Sequence, residues 1–162
     1  LLFRARATGS TEDLAAALAL DADDVLHRLD HEPEGLPHRD DLLRHAILDR
    51  VGVAFDALGA GDVATARAQI RRVTLSDPRQ TLESIERGCG ERTPEARRRL
   101  GAILHLSLAV RMLSGGNHEE SAAQLRSAAA LSAEAVAPEL ADPYWSLSAA
   151  DREFLRRVLG GR

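Results

Sequence analysis

The sequence predicts an all-α fold, a bundle or short helical-hairpin solenoid of seven or eight helices around one apolar central helix. Ala and Leu dominate the 162 residues, β-branched residues are sparse, and aromatic residues make up only 3%. No stretch alternates apolar and polar side chains as a half-buried strand does. Capping residues precede apolar positions at three- and four-residue spacing, so the independent signals agree on helices.

The first 31 residues predict two or three short helices. Ser10 or Thr11 caps one helix, and Asp21 begins the next. Together, residues 11–29 resemble a helix-turn-helix. The side chains that this resemblance assigns to packing are Ala15 or Ala16, Leu18, Leu20 and Val25. We therefore expect a small helix-turn-helix-like element at residues 1–31, a linker at 32–41 and a helical-hairpin bundle at 42–162.

The second helix of this pair, DADDVLHRLD, is unsuited to DNA because it has four Asp and one Arg. DNA affinity depends largely on the neutralisation of phosphates by basic side chains. The net charge of −4 points the same way. We expect this element to pack or to contact protein, and nucleic acid is not an expected partner.

The remaining chain predicts six helices with short connections. Their expected bounds are 40–58, 62–75, 78–87, 93–114, 117–135 and 148–159. Stop signals are Gly88 and Gly90, then Pro138 and Asp142-Pro143, and finally Gly160-Gly161. Within the fourth helix, Leu100–Leu113 is apolar on nearly every side, which is typical of the centre of a bundle.

One segment occurs twice, 55 residues apart, at residues 54–73 and 109–128. Each copy contains an apolar helix, a Gly for the left-handed C-cap (Gly61 or Gly116), an N-capping Asp62 or Asn117, and an Ala-rich amphipathic helix. This pattern predicts two helical hairpins of the kind that scaffolds use to bind other molecules.

Four residues at equivalent places in the two second helices are the predicted ligand-binding residues: Gln69, Arg71, Gln124 and Arg126. Amide and guanidinium groups suit peptide backbone and carboxylate groups, so we place a partner site on the concave side of the hairpins. The alternative is that both arginines stabilise helix C-termini, by roughly 0.3–1 kcal/mol. The run Arg97-Arg98-Arg99 is either a solvated face or a mark of an acidic partner.

The order of parts also resembles a segment of large ATP-dependent bacterial transcription regulators, in which a winged-helix-like element precedes tetratricopeptide-like hairpins. The resembling residues are 14–29, then LPHRDDLLRHAI at 36–47, then the two hairpins. The resemblance implies a scaffold or sensor role. We expect a cytoplasmic bacterial interaction or regulatory module that binds a protein, a peptide or a small ligand. A DNA-binding regulator with a helical sensor or dimerisation region is the alternative.

The third hypothesis is that the protein is an enzyme. Four histidines, His27, His31, His38 and His45, fall close together, and the first two are four residues apart, as helical metal pairs require. Because Pro33 interrupts the helix there, and Gly35 follows it, we expect no metal site and no cofactor.

Two further patterns resemble known catalytic helices. His45 before a helical turn resembles the phosphorylated histidine of sensor-kinase hairpins. The spacings Arg39/His45 and Arg99/His105 resemble those of helical ribonuclease toxins. The first pattern lacks the acidic residue and the nearby Asn of its family, since Ala46 follows His45, and spacings such as the second occur often by chance, so no catalytic residue is assigned.

Composition sets the expected compartment. No apolar run approaches the roughly 20 residues that a membrane helix needs. The single Cys89 fits a reducing cytoplasm. Apolar residues precede Arg4, the reverse of a signal peptide, and the chain begins at Leu1, so we expect a cytoplasmic fragment of a longer protein. The sequence leaves open whether the chain forms a homodimer.

Overall fold

The structure is a computed structural model that describes residues 1–33, 36–88 and 92–160. In these residues it has nine α-helices and no strand, which confirms the all-α class, with one helix more than expected. The helices are α1 (Leu2–Thr8), α2 (Thr11–Leu20), α3 (Ala22–His31), α4 (Arg39–Gly59), α5 (Val63–Ser76), α6 (Pro78–Arg87), α7 (Pro94–Ser114), α8 (His118–Leu140) and α9 (Ala149–Gly160). A short 3₁₀ helix, Pro143–Trp145, precedes α9. The sequence signals at Gly35, Cys89, Gly90 and Gly161 lie outside the described residues.

Six of the predicted helix starts are confirmed by their caps. In each case the side-chain oxygen of the capping residue accepts a hydrogen bond from the backbone N–H three residues later, which satisfies a donor that the helix leaves open. The capping residues that do so are Ser10 for α2, Asp21 for α3, Asp62 for α5, Asp77 for α6, Thr93 for α7 and Asn117 for α8.

The two hairpin turns have the same geometry. Gly61 has φ 80° and Gly116 has φ 79°, so both occupy the left-handed region that favours glycine. The N–H of Asp62 donates to the Ala57 carbonyl at 2.8 Å, and that of Asn117 donates to the Met112 carbonyl at 2.9 Å. This six-to-one bond is the mark of a Schellman ending, so the repeated pattern produces the same local structure twice.

Helix α7 lies at the centre, as predicted. It packs against α4, α5, α6 and α8, and most extensively against α8. Its buried apolar residues are Leu100, Ala102, Ile103, Leu104, Leu106, Ala109, Val110 and Leu113. Near its C-terminal end, Arg111 is exposed and its Nη1 lies 3.5 Å from the carbonyl of Leu75 at the end of α5.

The N-terminal helices correct the helix-turn-helix prediction in two ways. Asp21 is both the last cap of α2 and the first cap of α3, so one residue joins the helices, whereas that motif uses a turn of three to four residues. Leu20 is 78% exposed, and Ala15 and Ala16 are exposed as well. The side chains of α2 that pack are Leu14, Ala17 and Leu18.

Helices α2 and α3 belong to the same apolar cluster as α4, α5 and α6. Helix α4 begins at Arg39, inside the predicted linker, and the Arg39 guanidinium donates to the carbonyls of Leu29 and Asp30 at the end of α3. The division of the chain by a linker at residues 32–41 stays a prediction.

The break in α8 lies at Ser132 and not at Pro138. Ser132 has φ −159° and ψ 95°, which interrupts the helical hydrogen bonds there. Pro138 lies within the segment after this kink, and the helix continues past it to Leu140. The last segment of α8 consequently reaches α5, where Glu139 meets Arg67 and Arg71.

Across the described residues, no helix combines the length and the apolar character that crossing a membrane requires.

Candidate functional site

The four residues predicted to bind a ligand lie in different environments. Arg71 is only 5% exposed, Gln69 and Gln124 are half-buried, and Arg126 is exposed. Among the described residues, no hydrogen bond or ion pair connects the two side chains on α5 with the two on α8. Arg71 does not lie in the last turn of α5, so the alternative role at a helix C-terminus is wrong for Arg71, while for Arg126 it stays a prediction.

Arg71 belongs to a buried ion-pair cluster that joins α5 to the end of α8. Its Nε donates to Oε1 of Glu139 at 2.6 Å, and its Nη2 pairs with the same oxygen and, at 2.9 Å, with Oδ2 of Asp142. Nε of Arg67 lies 2.7 Å from Oε2 of Glu139, oriented for an ion pair without an aligned hydrogen bond. Glu139 has no exposed surface.

Two aromatic rings complete this cluster. The Arg71 guanidinium carbon lies 4.4 Å from the ring centroid of Tyr144 and 4.8 Å from that of Trp145, within cation–π range. Burial raises the pKa of Glu139, and the pairing with Arg71 and Arg67 opposes that rise. The hydrogen bond from Arg71 lowers the pKa of Asp142. Because Glu139 is fully buried and Arg71 nearly so, the cluster joins α5 to the end of α8, and Nε and Nη2 of Arg71 are already paired within the chain.

Arg126 lies on an open surface between α8 and α9. It lines a cleft of about 460 Å³ whose other walls are alanines and the side chains of Val136, Val158 and Leu159. It makes no ion pair with any residue that the structure describes. Its environment therefore differs from that of Arg71, although the two occupy equivalent positions in the repeated segment.

Gln124 positions a histidine of the central helix. Nδ1 of His105 lies 2.7 Å from Oε1 of Gln124, whose Nε2 donates to Glu120 at 2.9 Å. An amide oxygen only accepts, so His105 carries its hydrogen on Nδ1. Nε2 of neutral His105 is thereby left as a hydrogen-bond acceptor.

His105 lines a cleft of about 480 Å³ between α6, α7 and α8. The face of α7 that forms its floor carries Arg97, Gly101 and His105, which are four residues apart and so lie on one side of the helix. A Cβ at Gly101 would lie 3.1 Å from Cδ1 of Leu131, so glycine lets α8 approach here. The rest of the lining is Leu82, Ile85, Glu86, Arg98, Ser127, Ala130 and Leu131.

The charge of Arg97, at one end of the cleft, is not paired with any described residue. Its guanidinium makes no hydrogen bond or ion pair with a described residue, and its buried Nε has no acceptor. A buried donor without an acceptor costs about 1–3 kcal/mol. Nη2, Nε and Cζ lie 3.0, 3.2 and 3.3 Å from the position that a Cβ on Gly88 would occupy, so the guanidinium rests on the end of α6.

Sequence reasoning noticed the Arg97-Arg98-Arg99 run but not the cleft. The signal that it missed is the spacing of Arg97, Gly101 and His105 on an otherwise apolar helix. The Arg99/His105 spacing does not form a site, because Arg99 lines a different cleft, with Phe55 and Arg92. Arg39 is likewise occupied at the end of α3 and does not join His45 in a site.

A larger groove of about 710 Å³ lies between α2, α4 and α6 and is mostly apolar. His45 lines it and has Nδ1 2.7 Å from the Asp41 carbonyl, so its hydrogen is on Nδ1. The arginines on this groove, Arg44 and Arg87, pair with Asp41 and Glu83. These two cations are thus paired within the chain, and nothing in the structure tests the resemblance of His45 to a phosphorylated histidine.

The histidine pair on α3 is helical, contrary to the expected interruption. Helix α3 continues through His31, and the rings of His27 and His31 lie 4.1 Å apart. Nδ1 of His31 bonds to the His27 carbonyl at 2.8 Å. Among the described residues, no group of three or more His, Cys, Asp and Glu side chains is placed to hold a metal ion.

Comparison with protein-family models, with curated proteins and with solved structures finds no match for this chain. Its function must therefore be inferred from its own geometry.

Proposed function

We propose that this chain is a cytoplasmic interaction module of a regulatory kind, which binds a peptide segment of a partner protein in the cleft between α6, α7 and α8. The observation that carries the proposal is the floor of the cleft. Hydrogen-bonding groups stand at its two ends, Arg97 and the Nε2 of His105, and no described residue pairs with either.

The size and lining of the cleft support a peptide. Arg97 and His105 are eight residues apart on one helix, which corresponds to about 12 Å along its axis. Three to four residues of extended chain cover that length at about 3.3 Å per residue. Between the two polar ends, the side chains of Leu82, Ile85 and Leu131 give an apolar middle. Apolar walls with a few placed polar groups are typical of binding sites.

The cleft also agrees with the predicted use of helical hairpins. It lies between the two helices of the second hairpin, α7 and α8, and the short α6 that follows the first. Gln124, one of the four predicted residues, acts indirectly by fixing the hydrogen position of His105. The DNA-binding alternative gains no comparable support, since α3 and its cap carry Asp21, Asp23, Asp24 and Asp30.

The test is selection of peptides followed by obstruction of the cleft. Short random peptides are displayed in two formats, with a free carboxyl terminus and fused through it, and the selected peptides are measured by fluorescence polarisation. Ser127 is exposed and lines the cleft, so Ser127→Phe should obstruct it without disturbing the core. We expect binding at least about tenfold weaker, the loss of roughly 1.4 kcal/mol.

The matched control is Ala123→Phe, one turn earlier on α8, exposed and outside the cleft lining. It should bind as the unmodified chain does, and circular dichroism should show both variants folded. The proposal fails if neither display format gives a binding peptide, or if Ser127→Phe leaves the affinity unchanged.

A further inference from the structure

The cleft between α6, α7 and α8 has one cationic end, and the positive charge there decides which kind of ligand fits the cleft. Arg97 and Arg98 line it together with the exposed Glu86. Arg98 pairs with Glu95 at 2.8 Å, whereas Arg97 pairs with no described acidic residue. A carboxylate is the natural partner for an unpaired guanidinium, because its oxygens accept the donors that the guanidinium offers.

The place of Arg97 favours a terminal carboxylate over a side-chain carboxylate. The guanidinium lies against Gly88, the residue that caps the C-terminal end of α6, and Gly88 is not among the residues that line the cleft. Arg97 therefore lies at the edge of the cleft, where the last residue of an extended peptide would place its terminal carboxylate. Gly88 has φ 64°, and a side chain at this position would displace the guanidinium, so the glycine fixes where the charge lies.

We infer that the cleft recognises the free carboxyl-terminal end of a partner chain whose last residue is apolar, an inference that rests on the proposed peptide-binding function. The terminal carboxylate meets the Nη nitrogens of Arg97, since Nε is shielded from solvent. The last side chain enters between Ile85 and Leu131, beside Gly101. A backbone N–H further up the peptide donates to Nε2 of His105.

The experiment uses the full chain and pairs of synthetic peptides taken from the selection. Each pair has the same sequence and differs only in a carboxylate or a carboxamide at its end. We expect the free-carboxyl display format to give the binding peptides, and amidation to weaken binding by roughly 10- to 100-fold, as loss of a charged hydrogen bond does.

Two charge-removing variants on the same helix assign this effect to a residue. Arg97→Gln should weaken binding of the acid form and leave the amide form nearly unchanged, so that the two forms bind alike. Arg99→Gln removes the same charge two residues away, outside this cleft, and should keep the full difference between the forms.

Three outcomes distinguish a failure of this inference from a failure of the proposed peptide-binding function. If peptides bind in the cleft but their amides bind equally well, or if Arg97→Gln keeps the difference, the terminal-carboxylate inference is wrong and peptide binding stands. If internal segments ending in Asp or Glu side chains bind as tightly as free termini, recognition of a chain end is likewise overturned. If no peptide binds in either format, the proposed function itself fails.

Discussion

The two helical hairpins have the same turn, but their second helices have different surroundings. The turn glycines differ by 1° in φ, and Asp62 and Asn117 form the same caps. Arg71 on α5 is nevertheless buried against Glu139, while Arg126 on α8 is exposed. Local sequence therefore fixes the turn, whereas the neighbouring helices decide what an arginine at a given position does.

Arg71→Gln should give the largest difference between the hairpins. It removes one of the two cations on buried Glu139 and the cation stacked on Tyr144 and Trp145. Removing one partner of a buried ion pair costs about 3–5 kcal/mol, and we expect about 3 kcal/mol because Arg67 still contacts Glu139. Urea denaturation followed by circular dichroism measures this free energy of unfolding.

Arg126→Gln is the matched substitution in the second hairpin. This side chain is exposed and makes no ion pair among the described residues, so the free energy of unfolding should change by no more than about 0.5 kcal/mol. Equal effects of the two substitutions would contradict the distinction drawn between the hairpins.

The buried ion-pair cluster around Arg71 and Glu139 should make the free energy of unfolding depend on pH. Burial raises the pKa of Glu139, so the folded chain holds this proton more tightly than the unfolded chain does. The free energy of unfolding should then fall as pH rises from about 4.3, the ordinary value for Glu, to the raised pKa. Each unit of that interval contributes about 1.4 kcal/mol.

Glu139→Gln removes this titration, so its free energy of unfolding should fall less steeply over the same pH interval. Urea midpoints of both chains, measured from about pH 4 upward, test the difference in slope. The lowered pKa of Asp142 acts in the opposite sense and at lower pH, where stability is gained as pH rises. Parallel slopes in the two chains would show that Glu139 is not the group responsible.

Alanine at the turn glycines should give modest effects that are equal in the two hairpins. Gly61→Ala and Gly116→Ala each force a left-handed conformation on a residue with a Cβ, at about 1 kcal/mol. A Cβ at either position meets nothing within 4 Å, so conformation alone sets the cost. Thermal unfolding should show equal losses, and a difference above about 0.5 kcal/mol would mean that the turns are not equivalent.

The fold was largely predictable because its signals are local. The caps at Asp62, Thr93 and Asn117 need only the residue itself and the backbone three residues later. The apolar stretch Leu100–Leu113 likewise indicates a surrounded helix without reference to its neighbours. The kink at Ser132 was not predictable in this way, because Pro138 is the stronger local signal for a break and the helix continues through it.

The candidate site was only partly predictable. Helical spacing predicts on which face of α8 Gln124 lies, and that face brings it next to His105 of the site. The burial of Arg71 could not be predicted from the local sequence, since its partner Glu139 is 68 residues further along the chain. Arg97 and His105 were seen singly, but the wall that turns them into a cleft comes from α6 and α8.

The sequence by itself determined the all-α class, six of the helix starts, the two equivalent hairpin turns and the central place of α7. These features depend on capping, glycine conformation and helical periodicity, which act over a few residues. Only the tertiary structure decided that Arg71 is neutralised by α8 and that Arg97 is left unpaired among the described residues. The reason is that the pairing of a charge depends on which distant side chains the packing brings within a few ångströms of it.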